Sequence, residues 1–151
     1  MVPFLSFIIY VIYYLLVCHT TAAIPAFLPT TISARKHAFC LMPDHLHLLA
    51  EGAHAHSDLR EYIRLFKQHS AFELRKFSRN RLWEKSYYDY VLRPADSIES
   101  VACYIWWNPV RKHLCAFPRE YPFTGSQTID WMTHSAAASD WTAPWKVAAP
   151  A

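Results

Sequence analysis

The chain has 151 residues, which is one domain at most but enough to bury a core. Residues 1–34 contain no charged side chain, whereas positions 35–125 hold 14 basic and 10 acidic side chains. This mild positive excess permits a phosphate-bearing partner without requiring one, and four cysteines without a CxxC pair argue against a zinc ribbon or a disulfide framework.

Residues 2–18 form an uninterrupted apolar and aromatic run, just short of the usual bilayer-spanning length of about 20 residues. A signal peptide or a membrane anchor would fit this run, but each normally has a basic flank that is missing here. We favour a third interpretation, in which residues 1–34 are not the native start of the domain. We therefore expect a cytoplasmic location and do not expect association with a membrane.

A β-hairpin is predicted next, with strands over 36–42 and 45–50 joined by a tight Pro-Asp turn. Side chains two apart in a strand point to the same face, so His45 and His47 would present two imidazoles side by side. This arrangement suits a metal ion, although a single His-x-His is weak support because strand histidines are more often surface residues. A second His-x-His, at positions 54 and 56, lies in a loop and is interpreted as solvated.

A helix is predicted over 58–77 from apolar residues that recur at three- and four-residue spacing. Arg60, Arg64 and Lys67 fall on another face of this helix. A solvated helix face explains these basic residues, and from periodicity alone it is the favoured explanation. A track for phosphate groups is the functional alternative.

A strand over 81–93 and a short helix over 96–108 are predicted from aromatic content and from Pro94 and Pro109. Tyr104 and Asn108 are four apart, so they would project from one face of that helix. In isolation, a buried aromatic and a capping asparagine would explain the pair. Residues 127–151 show no clear period and are expected to form a poorly ordered tail.

Taken together, four residues match the needs of a phosphodiester bond cut by a tyrosine. Such a reaction requires a divalent metal at the phosphate and a hydroxyl nucleophile in line with the leaving oxygen. Two imidazoles and an amide oxygen can hold Mg²⁺ or Mn²⁺ while leaving coordination positions free for the phosphate. His45, His47 and Asn108 supply these ligands, and Tyr104 supplies the hydroxyl.

The chain also resembles a known family, the REP-associated tyrosine transposases within the HUH single-tyrosine transposases. Five stretches carry the resemblance in the family's order and spacing: CLMPDHLHLL (40–49), LFKQHSAFELRK (65–76), LWEKSYYDYVLR (82–93), VACYIWWNPVRKHL (101–114) and YPFTGS (121–126). The resemblance implies that His45, His47 and Asn108 bind Mg²⁺ or Mn²⁺ and that Tyr104 is the nucleophile. It further implies DNA transposition on single-stranded or hairpin DNA, with Lys67 contacting the DNA.

The resemblance also implies an α/β (α+β) fold, a ferredoxin-like sandwich of an antiparallel sheet with helices on one face. Residues 35–126 would form the catalytic domain, and residues 1–34 look like neither the first strand nor the first helix of the family. A missing first strand would leave a central sheet edge uncovered, as in a truncated or frameshifted copy.

The alternative is therefore an inactive remnant, or a module that binds hairpin DNA through basic side chains without cutting it. Arg60, Arg64, Lys67, Arg111 and Lys112 are the candidate DNA contacts in either case. The sequence leaves open whether the protein forms a homodimer.

Overall fold

A computed structural model of the protein describes residues 34–76 and 78–143 and, for its backbone, Phe4–Tyr10. Its strands and helices are, in chain order, β1 Phe4–Tyr10, β2 Ala34–Leu41, β3 His45–Gly52, α1 Leu59–Leu74, β4 Tyr88–Val91, α2 Ile98–Trp106, α3 Asn108–Arg111, a 3-10 helix Pro118–Glu120, β5 Thr124–Gly125 and α4 Trp131–His134.

One antiparallel sheet organises the fold, with its strands in the order β4-β1-β3-β2-β5. The first four strands have the order of a ferredoxin-like sheet, and the predicted α/β fold with an antiparallel sheet is confirmed. The predicted loss of the first strand is wrong, because β1 pairs with the histidine strand β3 on one side and with β4 on the other. The family's first helix would fall on residues outside the described part of the chain.

Both faces of the sheet are covered, which corrects the expectation of helices on one face. Leu46 and Leu48 of β3 pack with α1, where Ile63 and Phe66 are buried. Leu49 of β3 faces the other way and packs with α2. The physical reason lies in β2 and β3, whose residues are almost all buried, so that each strand has an apolar side chain for either face.

The two main helices begin at polar caps and are held by buried faces. The carboxylate of Asp58 accepts from the backbone N–H groups of Arg60 and Glu61 at the start of α1. The hydroxyl of Ser97 accepts from the N–H of Ser100 at the start of α2. Residues 101–106 of α2 are all buried, because the sheet covers one side of this helix and the segment 130–143 covers another.

Three predicted elements differ from the structure. The strand predicted over 81–93 is reduced to β4, since residues 81–87 form a loop against α1 instead of joining the sheet. The helix predicted over 96–108 ends at Trp106, and Asn108 begins the separate short helix α3.

The tail is the third difference, because residues 127–143 pack against α2 instead of being poorly ordered. The Cys103 thiol donates to the carbonyl of Ala137, and the Trp107 indole donates to the carbonyl of Ser135. Residues 144–151 lie outside the described part of the chain, and the boundaries 1–34, 35–126 and 127–151 stay a prediction.

Within the described residues, no helix is both long enough and apolar enough to span a bilayer. Part of the apolar run at 2–18 is accounted for by β1, a strand inside the sheet. Cys40, Cys103 and Cys115 are free thiols.

Candidate active site

The two histidines of β3 lie on the sheet face that α2 covers. A two-residue Pro-Asp turn sets their register, closed by a hydrogen bond from the N–H of Met42 to the carbonyl of His45 at 2.7 Å. The Nε2 atoms of His45 and His47 are 2.9 Å apart, and the rings meet edge to face. The side-by-side imidazoles expected from the sequence are therefore present, with His47 4% exposed.

Asp44 orients the first histidine, a role that the sequence interpretation missed. Its Oδ1 lies 2.6 Å from Nδ1 of His45. A carboxylate at Nδ1 favours the tautomer that carries its proton there, which leaves Nε2 as a lone-pair donor. The signal was available in the sequence, because a carboxylate directly before the first histidine can reach the ring nitrogen that faces the turn.

The separation of the two Nε2 atoms fits a shared metal ion. Two ligands at adjacent corners of an octahedron, each about 2.1 Å from the metal, lie about 3.0 Å apart. The observed 2.9 Å matches that value. Among the described residues no third His, Cys, Asp or Glu joins the pair to form a metal cluster.

Tyr104 lies next to this histidine pair. Its ring centroid is 6.5 Å from that of His47, with the rings nearly perpendicular, and the residue is 6% exposed. This contact follows from the packing of α2 against β2 and β3, which places Tyr104 of the helix beside His47 of the strand. The structure therefore places the predicted nucleophile beside the two histidines that are predicted to bind a metal.

Asn108 begins α3 and is buried, and its amide nitrogen donates to the carbonyls of Tyr104 and Ile105 at 3.1 Å each. Because both donations use the NH₂ group, the amide oxygen is the atom of this side chain that can serve as a metal ligand. The two donations also tie Asn108 to the last turn of α2, where Tyr104 sits. Its role as third ligand stays a prediction.

Arg111 and Trp141 hold the ring of Tyr104. The Arg111 guanidinium carbon is 4.2 Å from the ring centroid, and the same group donates to the Tyr104 carbonyl. The Trp141 ring meets Tyr104 edge to face at 5.0 Å. Arg111 therefore contacts the predicted nucleophile directly, which the prediction of a DNA contact did not include. Trp141 was missed because the tail has no periodic pattern.

The other predicted DNA contacts lie elsewhere. Arg60, Arg64 and Lys67 are on α1, across the sheet from the histidine pair. Arg64 is engaged with both carboxylate oxygens of Glu61. Lys112 follows α3 and is exposed. These residues do not converge with the histidines and Tyr104, and their contact with DNA stays a prediction.

Three comparisons relate the chain to known proteins. Residues 28–108 match the family of IS200-like transposases. A Haemophilus influenzae protein that carries the name of a REP-associated tyrosine transposase is 24% identical over 98 residues, which is 58% of this chain. The matched region spans 56% of that relative's own length.

The fold has a counterpart among solved structures. The structure of a REP-associated tyrosine transposase bound to a REP hairpin superposes with a TM-score of 0.64 at 13% identity, covering 81% of this chain and 75% of the other. At this identity the likeness concerns the fold. Because the family match takes in more than half of the chain and includes the histidine pair, Tyr104 and Asn108, the chain belongs to the IS200-like transposases.

Proposed function

We propose that the protein cuts and rejoins single-stranded DNA in a metal-dependent reaction that passes through a phosphotyrosine. One observation carries the proposal: the ring of Tyr104 lies 6.5 Å from that of His47, whose Nε2 is 2.9 Å from Nε2 of His45. A hydroxyl nucleophile beside two convergent imidazoles suits metal-assisted phosphoryl transfer.

Each residue of the site has a distinct task in this proposal. His45, His47 and the amide oxygen of Asn108 would hold Mg²⁺ or Mn²⁺, which when bound polarises the scissile phosphate and neutralises its developing charge. Asp44 keeps the Nε2 lone pair of His45 available. Arg111 fixes the ring and the backbone of Tyr104.

The covalent step exchanges one phosphate ester for another. The hydroxyl oxygen of Tyr104 forms a bond to phosphorus and loses its proton, while the displaced sugar oxygen leaves and takes up a proton. Attack by a sugar hydroxyl on the phosphotyrosine reverses these changes and joins a new strand. Because one ester is exchanged for another, no external energy source is required, which suits DNA transposition.

Single-stranded or hairpin DNA is the proposed substrate. The solved protein of similar fold is bound to a REP hairpin, and the net charge of +3 on this chain is compatible with such a partner. An enzyme that acts on the chromosome would work in the cytoplasm. An inactive remnant is not favoured, because that alternative rested on a missing first strand and β1 occupies the corresponding place in the sheet.

A denaturing gel tests this proposal. The full chain is incubated with labelled hairpin DNA from the flanks of its own gene, with Mn²⁺, with Mg²⁺ or with EDTA. We expect a slow-migrating covalent species that needs metal and is absent from Tyr104→Phe. Tyr88→Phe, at an exposed position in β4, serves as the matched control and should form the adduct normally.

Two results would overturn the proposal. An adduct that survives in Tyr104→Phe would assign the nucleophile to another residue. The absence of an adduct in the wild-type chain under every metal condition, with DNA binding intact, would leave a hairpin-binding module without catalysis.

A further inference from the structure

The loop that follows helix α3 begins and ends beside the candidate active site. It spans residues 112–120, includes the 3-10 helix, and is called the 112–120 loop below. Arg111, directly before the loop, lies against the ring of Tyr104. Tyr121, directly after it, donates its hydroxyl to the carbonyl of Leu41 at the end of β2. Both ends of the loop are therefore fixed to elements that carry the candidate active site.

The exposed side chains of this loop combine apolar and basic groups. Six large apolar side chains are exposed in the described part of the chain, and Leu114 and Phe117 are two of them. Phe117 is 50% exposed, and the guanidinium carbon of Arg119 lies 5.5 Å from its ring centroid. Lys112 and Arg119 are exposed, and within the described residues neither forms an ion pair with a carboxylate. The loop therefore presents an aromatic ring together with two positive charges that no carboxylate neutralises.

The backbone that carries Phe117 is held in place. The carboxylate of Glu120 accepts from the N–H groups of Ala116 and Phe117 at 2.9 and 3.0 Å. The N–H of Leu114 donates to the carbonyl of Pro109 at 2.9 Å. Because these bonds fix the backbone, the ring of Phe117 starts from a defined position, and little ordering is needed when a ligand packs on it.

An exposed ring among basic side chains is typical of surfaces that bind single-stranded nucleic acid. There the bases stack on aromatic rings, and the basic residues contact the phosphates. An apolar protein surface would suit Leu114 and Phe117, but it would leave Lys112 and Arg119 without a counter-charge. Charge complementarity therefore favours a polyanion that carries flat apolar groups.

The place of the ring in the chain limits which part of a DNA strand it contacts. Phe117 follows Arg111 by six residues, so the two Cα atoms lie within about 20 Å of each other even for an extended chain. The hydrogen bonds of the loop shorten this separation. Bases inside a duplex already stack on one another, whereas an unpaired base has a face to offer to an aromatic ring. The ring of Phe117 therefore suits an unpaired nucleotide close to the phosphate that Tyr104 attacks.

We propose that Phe117 is a stacking platform for one unpaired base of the DNA strand that Tyr104 attacks, and that Lys112 and Arg119 contact the adjoining phosphates. This inference rests on the proposed function for its choice of DNA. The ring contributes to binding of the strand and takes no part in the covalent step.

Binding of unpaired DNA without divalent metal tests the platform apart from catalysis. Fluorescence anisotropy measures the Kd of the full chain for the labelled single-stranded flank of the hairpin beside its own gene, with EDTA present. Phe117→Ala should weaken binding by roughly five- to a hundredfold, the usual effect of losing one stacked base. Phe117→Leu keeps the apolar bulk without the ring and should lose as much, whereas Phe117→Trp should bind at least as tightly as the wild type.

Phe72 supplies the matched control. It is 61% exposed, and the ammonium of Lys76 lies 5.6 Å from its ring centroid, but it belongs to α1, across the sheet from Tyr104. Phe72→Ala should leave the Kd within about twofold of the wild type, because no base stacks on that ring. Circular dichroism checks that every variant keeps the fold.

Abasic sites in the DNA identify the stacked base. A single abasic site, moved along the unpaired strand, should weaken binding by the wild type at one position near the cleavage site. At that position it should have little further effect on Phe117→Ala, because base and ring are the two partners of one interaction. Equal losses for both proteins at every position would overturn the platform.

Failure of the platform and failure of the proposed function give different results. Equal Kd values for Phe117→Ala and Phe72→Ala, or binding by Phe117→Leu that equals the wild type, would overturn the platform whether or not an adduct forms. At saturating DNA and with metal added, Phe117→Ala should still form the Tyr104 adduct. Absence of the adduct in the wild type, with the differences in Kd retained, would count against the proposed function and leave the platform standing.

Discussion

At the scale of single residues, the geometry around His45 combines a candidate metal ligand with its own orienting group. Nδ1 of His45 lies 2.6 Å from the Asp44 carboxylate, and Nε2 faces His47. The side chain of Asp44 is 77% exposed, and exposed pairs of this kind contribute little to the stability of a fold. Its main effect should fall on how firmly the imidazole is held for a metal.

Asp44→Ala is therefore expected to weaken Mn²⁺ binding about ten- to hundredfold, the usual effect of losing a partner behind a metal-binding histidine. Isothermal titration calorimetry of the full chain gives the Mn²⁺ affinity, and circular dichroism checks that the fold is kept. Asp89→Ala, an exposed change in β4, is the control. Equal Mn²⁺ affinities for the two variants would show that Asp44 has no such role.

The sequence was informative where an interaction is local. The histidine pair could be predicted because strand alternation alone places positions 45 and 47 on one face. The approach of Tyr104 to His47 could not come from periodicity, since it depends on how α2 packs across the sheet. The family resemblance predicted that Tyr104 and the histidines act together. Neither periodicity nor the resemblance pointed to Trp141.

At the scale of elements, Asp96 joins three parts of the chain. Its Oδ1 accepts from the indole N–H of Trp141 in the tail, and its Oδ2 accepts from the hydroxyl of Tyr90 in β4 and from the N–H of Arg93. Burial on its own would raise the pKa of this carboxyl, but the hydrogen bonds outweigh burial and the pKa lies below its ordinary value. The charged form of Asp96 therefore stabilises the contact between the tail and β4.

The sign of the pH dependence follows from that lowered pKa. The stabilising contribution is complete above the ordinary carboxyl pKa of about 4 and is lost as the pH falls through the lower pKa of the folded protein. In thermal unfolding between neutral pH and pH 2, the wild type should lose more stability below about pH 4 than Asp96→Asn does. Asp89→Asn is the control and should lose as much stability with falling pH as the wild type does. If all three proteins lost the same stability below about pH 4, Asp96 would not have this role.

The tail and the loop before β4 show why these elements were mispredicted. Segment 81–87 has the aromatic content of a strand, but Trp83 is used to fasten the loop to α1 through Ser70. Segment 127–143 has no helical or strand period, yet Trp131 and Trp141 pack against the core beside α2. Aromatic residues that pack singly against another element leave no repeating pattern in the sequence.

At the scale of the whole molecule, β1 connects two parts of the sheet. Ser6 is opposite Leu49 of β3 on one side and Tyr90 of β4 on the other. Without β1, β4 would lose its neighbour and the histidine strand would become a sheet edge. An apolar run gives no hint of such distant partners, which for Ser6 lie 43 and 84 positions away, and this is why the strand was not predicted.

Ser6→Pro tests the importance of this strand. Proline cannot donate to the ladder and is not tolerated within a central strand, so we expect a loss of roughly 3 kcal/mol or more in the free energy of unfolding. Urea denaturation measures the loss, and Ser6→Ala, which keeps the backbone donor, should change stability far less. Equal stability of the two variants would mean that the pairing of β1 is dispensable.

The central claim is that Tyr104, placed beside the histidine pair by the packing of α2 on the sheet, is the residue that attacks DNA. The most direct test digests the metal-dependent protein–DNA adduct with protease and nuclease and identifies the nucleotide-bearing peptide by mass spectrometry. We expect the nucleotide on Tyr104. Attachment to Tyr87, Tyr88 or Tyr90 would contradict it.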